Sequence, residues 1–384
     1  MNHPFSKRLE NIPPSGIRKF FDLVAHSKDI ISLGVGEPDF STPWAIREEA
    51  ISTLERGTTA YTSNSGLPEC REAIATYLKN SFNCSYNPAN EMILTFGVSE
   101  AVDIAFRTIL NEGDEVILFE PCYVCYAPLV TLAGGHVVTI DTSKNHFLPP
   151  IDQLKKAISP LTKAVLICSP NNPTGAVIPS DILQEIAALS IKHGFWVITD
   201  EVYAELSYDK PFVSYASLEG IKEKTILLNG FSKAFAMTGW RLGYVCSSQD
   251  FISRALKIHQ YSALCAPTVA QYAAIEALNH PESVVAMKQS YQARRNLFVK
   301  RLNQIGLPTL LPEGAFYCFP SIMGTGLSSE EFAVQLLKKT NVAVVPGSVF
   351  GQGGEGFIRC CYATDLTLLK EAVLRIHSFL KKIG

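Results

Sequence analysis

The sequence predicts an α/β protein. A large unit is built on a mainly parallel, seven-stranded sheet covered by helices, and a smaller α+β unit follows. Three observations predict this. Seven short apolar runs of strand length recur between residues 92 and 246. Helical stretches lie between most of them, and near-continuous apolar strands alternating with helices form parallel sheets buried on both faces. After about residue 250 the rhythm changes to long helices, then to short strands and helices mixed.

In chain order, the first 30 residues read as an arm. Pro13-Pro14-Ser15-Gly16 breaks structure, and Ile17, Phe20, Phe21 and Val24 then recur at helical spacing over Ile17–His26. Ile30–Leu33 is a short strand running into Gly34-Val35-Gly36-Glu37-Pro38-Asp39-Phe40. Its two glycines permit close backbone approach and Pro38 blocks a helix. Helices are predicted over about 43–57, with Pro43 near the first turn, and over Pro68–Asn80. The polar loop Tyr61–Gly66 separates them. The seven strands are Met92–Thr95, Glu115–Phe119, His136–Ile140, Ala164–Cys168, Phe195–Thr199, Thr225–Leu228 and Leu242–Cys246. Ala101–Leu110, Ile151–Ile158 and Pro179–His193 are the helices between them. Pro267–Asn279 and Val284–Ile305 are long helices. The tail carries strands at Ala315–Phe319, Val342–Val345 and Phe357–Cys361, with helices at Ser329–Lys339 and Leu366–Lys381.

Bulk properties narrow the function. With 384 residues, 47% hydrophobic and 18% charged, the chain buries a large core easily. A net charge of −2 gives no global pull toward nucleic acid or an anionic membrane. No export signal and no membrane-length apolar run is visible. Ten cysteines scattered partly through strand-like runs do not make a disulfide framework, and the reducing cytoplasm is the expected compartment. Cys122 and Cys125 match C-x-x-C without a second pair at metal-site spacing, so no metal is expected. Gly351-Gln352-Gly353-Gly354-Glu355-Gly356 fits G-x-G-x-x-G but precedes a strand, which makes it a loop rather than a dinucleotide site.

In parallel sheets, ligands bind beyond the carboxyl ends of the strands. After Met92–Thr95, Val98 and Ser99 open a helix whose free N–H groups suit a phosphate. Tyr123 follows the second strand and could face a flat ring or sit in the core. Asn172 lies in the turn Ser169–Gly175 after the fourth. Asp200 and Tyr203 follow the fifth, and a carboxylate at the end of a buried strand needs a partner. Lys233 follows the sixth in an apolar setting that should lower its pKa and leave a nucleophilic amine, and Arg241 stands eight residues on. Taken singly, each has a plain structural reading as cap, turn or solvated lysine. Together they supply cation and N–H groups for a phosphate, a carboxylate for a ring nitrogen, an amide and phenol for a ring oxygen, and an amine for an aldehyde. That set suits pyridoxal 5′-phosphate.

The chain resembles the class I/II pyridoxal-phosphate-dependent aminotransferases of fold type I along nearly its whole length. The likeness is closest to bacterial and archaeal aspartate and aromatic aminotransferases. The matching motifs are Ser32–Phe40, Tyr61 with Gly66, Ser169–Gly175, Thr199–Tyr203, Ser232–Arg241 and Gly314–Tyr317. The resemblance implies a large cofactor-binding domain over 46–283, a small C-terminal domain over 284–384, and an arm with part of the small domain over 1–45. It implies that Lys233 bonds the cofactor aldehyde, Asp200 holds the ring nitrogen protonated, and Asn172 and Tyr203 bond the ring oxygen. Tyr123 would stack on the ring. Val98, Ser99, Arg241 and a partner subunit's Tyr61 would hold the phosphate, so a homodimer is expected. Arg359, with Gly36 and Asn172, would clamp the substrate carboxylate. Gly230 departs from the pattern, because many relatives have a phosphate-binding serine there. Ser232 is the expected substitute.

The expected activity is ping-pong transfer of an amino group from an aromatic amino acid, aspartate or a broad range of donors to a 2-oxo acid such as 2-oxoglutarate. Pro14 to Arg18, Tyr123, Phe316 and Tyr317 are the expected specificity elements. A C–S β-lyase on the same fold, or a cofactor-binding regulator without chemistry, are the competing readings.

Overall fold

The computed structural model describes residues 5–10, 12–14, 16 and 29–383. The expected helix over 17–26 and Arg18 lie outside them. Strand β1 (Ile31–Ser32) precedes two helices, Trp44–Glu55 and Pro68–Phe82. The central strands are β2 (Met92–Thr95), β3 (Glu115–Glu120), β4 (His136–Asp141), β5 (Thr162–Cys168), β6 (Trp196–Asp200), β7 (Thr225–Gly230) and β8 (Gly243–Cys246). They form one sheet in the order β2-β8-β7-β6-β5-β3-β4. All neighbours are parallel except β8, which runs against both β2 and β7. The expected fold class is therefore the observed one.

The sheet is buried on both sides, and the alternation of side chains shows how. Val116 and Leu118 of β3 join a core with Ala101, Ile104 and Phe106 of the helix Gly97–Ile109. Ile117 and Phe119 of the same strand join an opposite core with Leu183 and Ile186 of the helix Ser180–His193. Period-two alternation between two apolar layers is why these strands are continuously hydrophobic in sequence. Two helices were not foreseen. Tyr126–Leu132 has only seven residues and contains Pro128. Gln249–Ser262 buries only a narrow stripe, Phe251, Ile252, Ala255 and His259, among charged neighbours.

The later chain adds helices Thr268–Asn279, Pro281–Gln304, Ser329–Thr340 and Leu366–Ile383. Its strands are β9 (Tyr317–Cys318), β10 (Val342–Ala343), β11 (Val345–Pro346) and β12 (Ile358–Cys361). β9, β12 and β11 form an antiparallel sheet, and β1 pairs with β10 in parallel. Ile31 and Leu33 thus share a core with Phe332, Leu336, Val342 and Phe379. Tyr203, Leu206 and Ala236 from the end of the large sheet belong to that same core. This continuity brings the carboxyl ends of β5, β6 and β7 against β9 and β12.

Glu201, just after β6, is 2% exposed, and its Oε1 accepts from Thr199 Oγ1 (2.9 Å) and the Tyr215 N–H (3.0 Å). Burial raises its pKa from 4.5 to about 7, against the pull of those donors. A carboxyl whose folded pKa is raised stabilises most below its unfolded value. The advantage is lost as pH rises through the folded value. The folded chain is therefore expected to lose up to about 3 kcal/mol between pH 4.5 and 7 from this group alone. Glu201→Gln should flatten that part of the profile in urea melts taken across the window.

Candidate active site

A cavity of about 580 Å³ opens at the carboxyl ends of the parallel strands, within the usual range for a small-molecule site. Gly36, Val98, Ser99, Tyr123, Asn172, Asp200, Tyr203, Ser232, Lys233, Arg241 and Arg359 all line it. These are the cofactor- and carboxylate-binding residues expected from the sequence, apart from Tyr61; of the expected specificity elements Tyr317 also lines the cavity, whereas Phe316 does not and is wholly buried in the core. Tyr61 is 82% exposed and lies away from the cavity of its own chain.

Lys233 sits in the turn after β7. Its Nζ donates to the Gly36 carbonyl at 2.7 Å and lies 5.9 Å from the ring centres of Tyr203 and Phe316. Burial lowers its pKa to about 8. Glu37 and Cys361 oppose the shift, and the like charges of Arg359 and Arg241 add to it. A sizeable neutral fraction near pH 8 follows, which is what a nucleophilic amine requires.

Asp200 ends β6 and is 4% exposed. Its partner is not a cation in contact but a phenol: Tyr126 Oη donates to Oδ2 at 2.7 Å, and the Val202 N–H donates to Oδ1 at 3.2 Å. Burial raises the Asp200 pKa, while these two donors and the charge of Lys233 lower it. Sequence reasoning missed Tyr126. It lies three residues after Tyr123, at the first position of the helix Tyr126–Leu132, and their rings meet edge to face at 5.7 Å.

Arg359 on β12 is 2% exposed. Nη1 donates to Asn172 Oδ1 at 3.0 Å and Nη2 to the Gly34 carbonyl at 2.6 Å. The guanidinium lies 4.5 Å from the Tyr317 ring centre and 4.9 Å from that of Phe350. Nε is buried without a hydrogen-bond partner. Among the described residues no carboxylate forms an ion pair with it. The turn that carries Asn172 is fixed by the segment before β9, because the Glu313 and Gly314 N–H groups both donate to the Gly175 carbonyl.

The opposite end of the cavity is cationic. The helix Gly97–Ile109 begins there with Val98 and Ser99 in its first turn. Arg241 Nη1 donates to the Thr238 carbonyl (2.9 Å), and Nη2 reaches toward that of Phe96 (3.5 Å). Helix N–H groups, the dipole and a guanidinium make an anion site. Gly230 pairs with Gly243 across β7 and β8. A Cβ on Gly230 would lie 2.8 Å from the Gly243 Cα and 3.0 Å from the Leu242 carbonyl oxygen. The hydroxyl expected there has no room, whereas Ser232 borders the cavity. Gly230→Ser is expected to cost about 1–3 kcal/mol by overpacking, seen as a lower melting temperature, with no gain in cofactor affinity.

The glycine-rich stretch 351–356 is a packing loop, not a second site. A Cβ on Gly351 would meet the Glu120 carboxylate, and one on Gly353 would lie 2.7 Å from Asp141 Oδ1.

With this geometry in view, comparison with known proteins is decisive. The family described as "Aminotransferase class I and II" matches residues 28–376. The chain belongs to the class I and II aminotransferases. It is 54% identical over 384 residues to a putative aminotransferase, YugH, of Bacillus subtilis, covering 100% of both chains. It is 47% identical to an aspartate aminotransferase of Pyrococcus abyssi, with 98% of each chain covered. The solved aromatic aminotransferase of Pyrococcus horikoshii matches with a TM-score of 0.91 at 45% identity, over 95% of this chain and 99% of that one. Class I and II aminotransferases depend on pyridoxal phosphate and act on amino and oxo acids. The cavity of this aminotransferase fits that cofactor. An anion site, a buried carboxylate and a lysine amine line a single enclosure of sufficient volume.

Proposed function

We propose that this aminotransferase takes its amino group from aromatic or broadly varied L-amino acids and passes it to a 2-oxo acid such as 2-oxoglutarate. The reading is carried by the buried Arg359, which forms no ion pair among the described residues and lines the same cavity as the Lys233 amine. The only lysine or arginine side chains among the described lining residues are Lys233, Arg241 and Arg359. With Arg241 at the phosphate end and Arg359 on the α-carboxylate, none of the described lining residues is left for a side-chain carboxylate, and Arg18 lies outside the described residues. Val35, Tyr123 and Tyr317 supply apolar and aromatic wall instead.

Bound pyridoxal phosphate would supply an aldehyde and an electron-withdrawing ring that weakens the substrate Cα–H bond. The chain's own residues do the rest. Asp200, kept in place by Tyr126, holds the ring nitrogen protonated. Asn172 and Tyr203 donate to the ring oxygen, and Tyr123 covers the ring face. Val98 and Ser99 N–H groups, Ser232 and Arg241 hold the phosphate. Arg359, aided by the Gly36 N–H and Asn172, clamps the substrate carboxylate. Lys233 Nζ would hold the cofactor through its aldehyde and, as a free amine, would move the substrate Cα proton as general base and acid.

A homodimer completes the site in this reading. Tyr61 (82% exposed) and Tyr261 (88% exposed) stand out on segments joined by Asn64 Nδ2 to the Leu264 carbonyl, 2.7 Å. From this exposed segment Tyr61 would reach the partner's phosphate. Ten free cysteines suit a reducing cytoplasm.

The test is a half-reaction screen. Single amino acids are added to the yellow holoenzyme without an oxo acid, and conversion to the pyridoxamine form is followed by absorbance. Phenylalanine and tyrosine are expected to convert the enzyme with kcat/KM at least about 10-fold above aspartate, the scale of one missing ion pair. Faster conversion by aspartate would reverse the substrate assignment. Release of pyruvate and ammonia from cystathionine would select β-lyase chemistry instead.

A further inference from the structure

Two buried phenols meet at the centre of the cavity wall. Tyr203 Oη and Tyr317 Oη lie 2.9 Å apart, and both side chains are almost wholly enclosed. Tyr317 also touches both other working parts of the site. Its ring carries the Arg359 guanidinium at 4.5 Å. Its hydroxyl approaches Gly36 so closely that a Cβ there would sit about 2.5 Å away. The backbone around Gly36 in turn accepts from Lys233 Nζ.

A phenol has one proton to donate. Between two of them, only one direction of donation is used at a time. If Tyr203 spends its proton on the cofactor's ring oxygen, its own oxygen is left as an acceptor. Tyr317 is the group that fills it. Burial holds both phenols above their ordinary pKa, so both stay neutral across the working range. The charged and titratable groups facing the pair are Arg359 and Cys361 beside Tyr317, with Tyr123 further off. Arg359 and Cys168 face Tyr203, and Lys233 lies over its ring.

We propose that Tyr317 is a positioning residue for the transamination site: it donates to Tyr203 and thereby orients and strengthens the hydrogen bond that Tyr203 gives to the cofactor's ring oxygen. This rests on the cofactor placement proposed above. Hydrogen bonds in a chain polarise one another, so removing the first donor weakens the second bond without removing it. Loss of the proton from the lysine-bound cofactor leaves more negative charge on the ring oxygen. A donor to that oxygen favours the deprotonated state and lowers the pH at which the colour changes.

The experiment is a pH titration of the cofactor absorbance in the resting holoenzyme, with no substrate present. Tyr317→Phe keeps the ring under Arg359 and removes only the hydroxyl. Its colour midpoint is expected to rise by about half a pH unit. Tyr203→Phe should raise it by about one unit or more, since it removes the direct donor. The double variant should match Tyr203→Phe alone, because Tyr317 acts only through Tyr203. Replacing Tyr317 with 3-fluorotyrosine keeps the shape, sharpens the donor and should lower the midpoint, a change of opposite sign that loss of packing would not produce. A Tyr317→Phe midpoint equal to wild type, while Tyr203→Phe shifts, overturns the inference and leaves the site reading standing. Additive shifts in the double variant also overturn it. If neither single variant shifts, the cofactor placement itself fails and the inference falls with it.

Discussion

Lys233→Ala is expected to lower turnover by at least about 10⁴-fold, the scale of losing a nucleophile that is also the general base. The structure leaves no substitute. Nζ is held at 2.7 Å from the Gly36 carbonyl, and no other lysine lines the cavity among the described residues. Lys233→Arg should fail almost as completely. A guanidinium stays protonated and offers no free electron pair to an aldehyde. Cofactor should still bind both variants without a covalent bond, since Asp200, Arg241 and the helix start at Gly97 are untouched. Borohydride reduction followed by mass spectrometry separates these effects. The cofactor mass should be fixed to wild type and released from both variants. Wild-type turnover in Lys233→Ala would remove the basis of the whole assignment.

Why Lys233 was legible and its surroundings were only partly so has a physical explanation. The seven central strands were readable because a strand buried on both faces must be apolar throughout, and β3 feeds two cores from alternate positions. The residues that end those strands then fall at the ligand-binding edge, which located Asn172, Asp200 and Lys233 together. Tyr126 escaped because its link to Asp200 spans 74 residues and its helix is short and contains a proline. The Tyr203–Tyr317 contact spans 114 residues and leaves no local pattern at all. Arg359 had no signal of its own: a single arginine in a strand reads as a surface charge, and only the family likeness raised it. Gly230 was legible as a missing hydroxyl, but its cause lay across the sheet, where Gly243 and Leu242 fill the space a side chain would need.

Arg359→Leu should separate function from stability. Burying a cation without an anion costs several kcal/mol, and Arg359 is 2% exposed with no carboxylate in an ion pair among the described residues. Two hydrogen bonds, to Asn172 Oδ1 and the Gly34 carbonyl, and two ring faces offset part of that cost. Nε remains without a partner. Such an arrangement is poor for the free enzyme and good for receiving a carboxylate, which would supply the absent charge. Leucine removes the buried charge and packs against Phe350 and Tyr317. The substrate-free variant is therefore expected to melt no lower than wild type, and up to about 3 kcal/mol more stably. Its kcat/KM for every α-amino acid should fall about 10³-fold, since losing one side of a buried charged pair costs on the order of 4 kcal/mol. Arg359→Lys keeps the charge but not the two-pronged contact, and a loss of about 10²-fold is expected. Thermal melts of substrate-free enzyme and half-reaction kinetics on the same preparations give both quantities. A sharply lower melting temperature with unchanged kcat/KM would make Arg359 a structural cation and sink its assignment to the substrate.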